Sequence, residues 1–99
     1  MSEILIDMND LDFQQELFGL EKQELTALIK TLKKISQLTW MQLYKDQGLK
    51  WEAIPLNNTR SNEKVYTFRF SQKYRAVAYR FENKLQLMSL HTDHDSAYH

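Results

Sequence analysis

The sequence predicts an α+β fold, in which an N-terminal strand and helices pack on one face of a small twisted antiparallel sheet. Apolar residues recur with a helical period at positions 21–35 and with a period of two at positions 65–90. The connections between the strands of the second half are too short for crossovers, so these strands must form an antiparallel meander. At 99 residues, the chain is expected to be a single domain covering residues 1–99.

The first half of the chain is predicted to contain one strand and three helices. Residues 4–8 are a short apolar run that suits a strand, and helix-capping side chains precede a helix over residues 13–20. A second helix is predicted over residues 21–35, and a shorter one, capped by Thr39, is predicted to run through Lys45 and to be ended near Gly48. The residues of these last two helices that are expected to face the core are Leu25, Leu28, Ile29, Leu32, Ile35, Trp40, Leu43 and Tyr44.

The second half is predicted to be a sheet. Residues 51–56 are extended, and Pro55 restricts them to an edge or to the end of a strand. After a polar loop at 57–64, three strands follow, separated by turns at 71–73 and 82–84. In the middle strand, one face of the sheet is expected to receive Arg75, Val77, Tyr79 and Phe81, and the other Tyr74, Ala76, Ala78 and Arg80.

Composition excludes several classes of protein. No apolar run approaches the ~18–20 residues that a membrane-spanning helix needs, so we expect no membrane association. The absence of Cys excludes disulfides and thiolate zinc sites. The first residues lack the basic region and long apolar segment of a secretory signal, and a cytoplasmic location is therefore expected.

The formal net charge of zero hides an uneven distribution. Residues 1–25 carry a net charge of −6, residues 26–80 carry +8 and residues 81–99 carry −2. A neutral chain argues against nucleic-acid binding, whereas a basic middle segment argues for it. Two interpretations remain open: charge pairing across a compact surface, or a basic face that binds polyanions.

The last nine residues contain the greatest density of titratable groups in the chain, including all three histidines. Three interpretations are possible. A metal site would lack the spacing of known zinc motifs, and a Ser–His–Asp nucleophile would lack the glycine-flanked turn that such a serine needs. The third is general acid–base chemistry by histidine and tyrosine beside arginines. The residues concerned in the first two interpretations are His91, Asp93, His94 and His99 for the metal, and Ser96 for the nucleophile.

The acid–base interpretation needs positive charge next to the tail, and the predicted meander supplies it. Arg69 lies on the polar side of its strand, and Arg75 opens the next strand. Guanidinium groups at these positions could hold a phosphate and stabilise the charge that builds up during its reaction. The alternative for both arginines is a salt bridge to acids of the N-terminal segment.

Residues 65–81, with the sequence VYTFRFSQKYRAVAYRF, and residues 95–99, with the sequence DSAYH, resemble toxins of the RelE/ParE superfamily. The order of one strand, two helices and a meander is similar to theirs over nearly the whole chain. RelE-like members enter the ribosomal A site and cleave mRNA without a metal, by attack of a ribose 2′-hydroxyl on its own phosphate. ParE-like members poison DNA gyrase. Members of both branches pair with an antitoxin.

The resemblance implies roles for individual residues. Arg69 and Arg75 match basic positions of the family's first two meander strands, and Tyr98 matches a tail tyrosine that acts as a base. Two positions depart from the family pattern: Thr67 stands where stronger nucleases have a lysine, and Thr92 lies near the place of a missing arginine. His91 and His94 are the expected substitutes for proton transfer.

We therefore expect a ribosome-associated, metal-independent mRNA endoribonuclease that inhibits translation, with mRNA, the ribosome and a cognate antitoxin as partners and no small-molecule cofactor. The alternatives are a ParE-like gyrase inhibitor and a diverged, inactive member that binds protein. The expected catalytic residues are Arg69, Arg75, His91, His94 and Tyr98. The residues expected to bind RNA are Lys50, Arg60, Lys64 and Lys73.

Overall fold

The computed structural model describes residues 3–54 and 64–92 and confirms the α+β fold. In chain order, all three helices follow the first strand and precede the other four strands. The first helix begins and ends two residues before its predicted bounds. The elements in chain order are β1 (Leu5–Asp7), α1 (Leu11–Phe18), α2 (Lys22–Ser36), α3 (Trp40–Lys45), β2 (Glu52–Ala53), β3 (Lys64–Arg69), β4 (Tyr74–Phe81) and β5 (Lys84–Thr92).

The strands form one five-stranded sheet in the order β1-β5-β4-β3-β2. The pairs β2–β3, β3–β4 and β4–β5 are antiparallel, so the predicted meander is confirmed. Strand β1 pairs in parallel with β5, which makes the sheet mixed instead of wholly antiparallel. The helical segment between β1 and the meander provides the long crossover that a parallel neighbour requires.

Side chains fix the beginnings of two helices. Asp10 is the N-cap of α1, and its carboxylate accepts from the Phe13 N–H at 2.9 Å. Thr39 and Gln42 form a reciprocal capping box at the start of α3, since each side chain accepts from the other's backbone N–H. None of the helices within residues 3–54 and 64–92 is long and apolar enough to span a membrane.

The core lies between the helices and one face of the sheet. Leu28, Leu32 and Ile35 of α2 are buried there, as predicted. Ile29 is half exposed, because it lies at the flank of an apolar stripe that is narrower than predicted. Tyr44, also predicted to face inward, is 40% exposed at the end of α3.

The other face of the sheet points away from the helices, and we call it the open face. On β4, Ala76 and Ala78 are wholly buried on the helix-covered face. Arg80 lies on that same side, with its guanidinium 3.7 Å from the Trp40 ring centroid. Because side chains alternate along a strand, the open face receives the other set, as the sequence predicts. That set on β4 is Arg75, Val77, Tyr79 and Phe81.

Candidate functional site

Three of the five predicted catalytic residues lie in one row across the open face. Arg69 on β3 is directly opposite Arg75 on β4, and Arg75 is directly opposite His91 on β5. Residues directly opposite on neighbouring strands have Cβ atoms ~4.5–5.5 Å apart and share a face. We call Arg69, Arg75 and His91 the Arg–His row. The other two predicted residues, His94 and Tyr98, lie outside the described residues.

A β-bulge in β5 places His91 in this row. Near the hairpin Phe81 faces Lys84, and the register then shifts by one between Val77 and Ala78. Met88 is the extra residue, since Ala78 faces Leu87 and Val77 faces Ser89. Without that insertion Leu90 would face Arg75, and His91 would point toward the core. The bulge therefore keeps Leu90 buried and turns the imidazole to the side of the arginines.

Hydrogen bonds hold one nitrogen of the Arg75 guanidinium in place. Its Nη2 donates to the Thr67 hydroxyl at 2.6 Å and to the backbone carbonyl of Lys50 at 3.0 Å. Thr67 is wholly buried, so the first of these acceptors has little freedom to move. Both hydrogens of Nη2 are used in this way, which leaves the donors on Nη1 and Nε for a ligand.

The turn between α3 and β2 carries the carbonyl that holds Arg75. Asp46 Oδ1 accepts from the Leu49 N–H at 2.9 Å, and its Oδ2 lies 2.8 Å from Lys34 Nζ. The Leu49 carbonyl accepts from the Arg69 N–H at 2.7 Å, so the turn is bonded to β3. Lys50 has a φ of 51°, and this left-handed residue directs the chain from the turn into β2.

His91 has its own polar neighbour. Ser89 Oγ lies 2.8 Å from His91 Nε2, and both side chains project from the open face two residues apart. A hydroxyl at this distance fixes the plane of the imidazole ring and leaves Nδ1 for exchange with a ligand. The sequence does contain the signal for this pair, because a serine two positions before a histidine on one strand shares its face.

The electrostatics of the row favour an anion. Arg69 and Arg75 are like charges directly opposite each other, an arrangement that is unfavourable in a sheet. Among the described residues, the two groups that hold Arg75 are neutral, so they do not offset its positive charge. For Arg75, the alternative of a salt bridge to the N-terminal acids finds no support among the described residues. Planar guanidinium groups suit a phosphate, which accepts from two N–H donors at once.

Two of the predicted RNA-binding lysines lie in turns beside this row, whereas Lys64 lies at the far end of β3 from Arg69. Lys50 is exposed in the turn whose carbonyl holds Arg75, and Lys73 is exposed in the turn between β3 and β4. Lys64 begins β3, but its side chain is outside the described part of the structure, as is the whole of Arg60.

A metal site was one interpretation of the histidine-rich tail. Within residues 3–54 and 64–92, no three His, Asp or Glu side chains lie close enough together to hold a metal ion. The remaining members of that predicted set, from position 93 onward, are outside the described residues.

Comparisons with known proteins give matches only among solved structures, since no family model and no curated protein matches the chain. A chain of the archaeal RelE–RelB complex from Pyrococcus horikoshii superimposes with a TM-score of 0.69 at 10% identity, covering 95% of this chain and 99% of that one. The YoeB dimer from Staphylococcus aureus gives a TM-score of 0.64 at 16% identity, over 91% and 97% of the two chains.

A third match is a copper-bound mutant toxin from Helicobacter pylori, with a TM-score of 0.53 and 17% identity over 97% of this chain and 99% of that chain. At such low identities the likeness concerns the fold, and it extends over almost the full length of each chain. The chain therefore has the fold of the RelE/ParE toxin superfamily, which confirms at the level of the fold the resemblance seen in its sequence.

Proposed function

We propose that this chain is the toxin of a toxin–antitoxin pair and acts as a metal-independent, ribosome-associated mRNA endoribonuclease. The observation that supports this most directly is the Arg–His row, in which two arginines and a histidine project from neighbouring positions on one face of the sheet. This combination holds an anion and can also move a proton, as phosphodiester cleavage requires.

In the proposed reaction, the 2′-oxygen of the substrate ribose attacks the adjacent phosphorus. The new bond joins the 2′-oxygen to phosphorus, and the bond between phosphorus and the 5′-oxygen of the next nucleotide breaks. The products are a 2′,3′-cyclic phosphate and a free 5′-hydroxyl. A base removes the proton of the 2′-hydroxyl, and an acid gives a proton to the departing 5′-oxygen.

Arg75 is the proposed principal ligand of the scissile phosphate. Its Nη2 is held by Thr67 and by the Lys50 carbonyl, so Nη1 and Nε are oriented before substrate arrives. Such preorganised donors stabilise the charge of a pentavalent phosphorane without a reorganisation cost at the moment of reaction. Arg69, directly opposite, adds a second positive charge to the same anion.

His91 is the proposed proton-transfer group of the described residues. An imidazole has two ring nitrogens, one of which can accept a proton while the other donates one. Ser89 Oγ lies 2.8 Å from Nε2 of His91, so Nδ1 is the nitrogen proposed to exchange a proton with the substrate. Tyr98 and His94 are proposed to supply the complementary acid or base from the tail, as the family resemblance implies.

The partners we propose are mRNA, the ribosome and an antitoxin. The Pyrococcus horikoshii structure with the same fold is a complex of RelE with RelB, which supports a protein partner for this chain as well. Lys50 and Lys73 surround the Arg–His row, and with Arg60 and Lys64 they are proposed to contact RNA phosphates.

Primer-extension mapping of mRNA on translating ribosomes tests this function. Wild-type protein should produce discrete cuts, and treatment of the purified protein with a metal chelator, removed before it is added to the ribosomes, should not reduce them. Arg75→Ala, His91→Gln and Tyr98→Phe should each reduce them strongly, whereas Lys30→Ala, on the exposed side of α2, should cut like wild type. Undiminished cutting by both Arg75→Ala and His91→Gln would refute the assigned roles. Inhibition of DNA supercoiling without RNA cleavage would identify the ParE-like alternative.

A further inference from the structure

A pair of aromatic side chains occupies the open face at the far end of β4 from Arg75. Tyr79 and Phe81 project from the same side of β4 as Arg75, and their ring centroids are 6.5 Å apart with an interplanar angle of 16°. Tyr79 is four residues from Arg75, a separation of about 13 Å along a strand. The two rings therefore lie on the same face of the same strand as Arg75, with the buried side chain of Val77 between them and the arginine.

The two rings lie on the opposite face of the sheet from the aromatic cluster around Trp51. Trp51 stacks on Tyr66 at 4.6 Å and on Tyr44 at 5.5 Å, on the helix-covered side of the sheet. The rings of that cluster pack against one another. Phe81 is 55% exposed, so a large part of its ring surface is open to solvent.

The position of Phe81 is fixed although its ring is exposed. Glu82 follows it in the hairpin with a φ of 56°, and the Glu82 carbonyl accepts from Arg80 Nε at 3.0 Å. The same Arg80 is stacked on Trp40 across the sheet, so the hairpin is bonded to the core side. These contacts fix the backbone that carries Phe81, so its exposed ring is presented at a defined place on the hairpin.

The charges around the pair select the ligand. Lys84 is exposed directly opposite Phe81, and it adds a cation beside the rings. The acidic residues nearby are Glu82, exposed in the hairpin directly after Phe81, and one residue on each edge strand: Asp7 on β1 faces Gln86, and Glu52 on β2 faces Thr67. Each edge strand is two strands away from β4, about 10 Å. Arg75 and the two rings thus follow β4, and Lys84 lies beside Phe81 on β5.

We infer that Tyr79 and Phe81 form a stacking platform for unpaired bases of the RNA strand whose phosphate lies at the Arg–His row. Single-stranded nucleic acid is bound by cations that contact its backbone and by aromatic rings that stack on its bases. The open face of β4 carries both along one line. This inference rests on the proposed function, because it assigns the part of the RNA beyond the scissile phosphate to a particular surface of the protein.

Fluorescence anisotropy with RNA oligonucleotides of two lengths tests the platform. A dinucleotide reaches only the Arg–His row, whereas a hexanucleotide reaches the rings, and a 2′-deoxy substitution at the scissile position prevents cleavage of both. Phe81→Leu keeps an apolar side chain but removes the ring, and we expect about a fivefold to tenfold weaker affinity for the hexanucleotide. Its affinity for the dinucleotide should not change. Phe81→Trp should restore hexanucleotide binding.

Phe18→Leu is the matched control, because Phe18 is an even more exposed phenylalanine, at 80%, and lies on α1 away from the open face. Equal hexanucleotide affinity for wild type and Phe81→Leu would overturn the platform, as would equal losses for both lengths. A loss confined to binding of a protein partner would show a protein contact instead. If wild type cuts no mRNA but its hexanucleotide affinity still depends on the ring at position 81, the proposed function fails and the platform stands.

Discussion

Arg75 and Thr67 are joined by a hydrogen bond of 2.6 Å that spans two strands and ends on a wholly buried hydroxyl. The resemblance to known toxins makes Thr67 a departure, since it replaces a lysine of the stronger nucleases. In this structure the threonine has a definite use, because it orients the arginine that faces the open side. The resemblance thus implies one fewer cation at the site, and in this chain the residue at that position holds the guanidinium of Arg75.

We expect Thr67→Val to lower kcat/KM for RNA cleavage between about tenfold and a hundredfold, because small displacements of a positioned group have costs of that size. Valine has the same shape but no acceptor, so Nη2 of Arg75 loses its hydroxyl partner and retains the Lys50 carbonyl. The free energy of unfolding should fall by only about 1 kcal/mol. Cleavage kinetics and urea denaturation measure the two effects.

Thr67→Ser is the control for this prediction, since it keeps the hydroxyl and should retain most of the activity. If Thr67→Val cleaves at the wild-type rate with the wild-type stability, the hydrogen bond does not position Arg75 for the reaction.

Lys50 and Lys73 are expected to contribute through charge alone. Both are exposed near the ends of the Arg–His row. Each phosphate contact contributes about 0.7 to the slope of log affinity against log salt concentration for single strands. Lys50→Gln and Lys73→Gln should therefore each make that slope shallower by about this amount. RNA-binding titrations over a series of salt concentrations measure it, with Lys30→Gln as a control on α2 that should leave the slope unchanged.

The pairing of Arg69 with Arg75 follows from features that are visible in the sequence. A short polar turn at 71–73 joins two runs of strict alternation, so the residues equally far from the turn must face each other. The division of the β4 side chains between the two faces was also predictable, because residues alternate strictly along a strand without a bulge. Both features depend on residues that are close together in the chain, and patterns among such residues are visible in a single sequence.

The position of His91 was harder to predict, since it depends on the bulge at Met88. The signal is present: Leu85, Leu87 and Leu90 are all buried, and the spacing changes from two to three between the last two. A strict period of two would have placed His91 in the core. The Lys50 carbonyl left no signal at all, because a backbone acceptor has no residue type and its contact joins positions 25 residues apart.

Tyr66 gives the protein a specific sensitivity to alkali. Burial raises the pKa of Tyr66 to about 12, above the ordinary value of 10.0. The unfolded chain therefore loses this proton first as the pH rises, and stability that is complete below pH 10 is lost progressively toward pH 12. We expect a loss of about 1–2 kcal/mol over that interval.

Tyr66→Phe should remove that part of the alkaline loss, whereas Tyr74→Phe should retain it. Urea denaturation at several pH values, together with the ultraviolet absorbance of tyrosinate, measures both. Identical alkaline profiles for wild type and Tyr66→Phe would contradict the assignment.

Asp46 should link acid stability to the candidate site. Its hydrogen bond to Lys34 holds the pKa of the carboxyl below the ordinary value of 3.8. Because the folded pKa is depressed, the stabilisation is complete above about pH 4 and is lost as the pH falls through the folded value. The Lys34 side chain is 49% exposed, so the contribution should be under about 1 kcal/mol.

Two substitutions at Asp46 separate this charge from its structural use. Asp46→Asn keeps an oxygen that can accept from the Leu49 N–H, so the turn that holds Arg75 should persist and cleavage at neutral pH should be close to wild type. The free energy of unfolding of Asp46→Asn should change less than that of the wild-type protein as the pH becomes acidic. Asp46→Ala removes the acceptor as well, which frees the Lys50 carbonyl and should lower cleavage in addition. Equal cleavage by the two variants would show that the turn does not position Arg75.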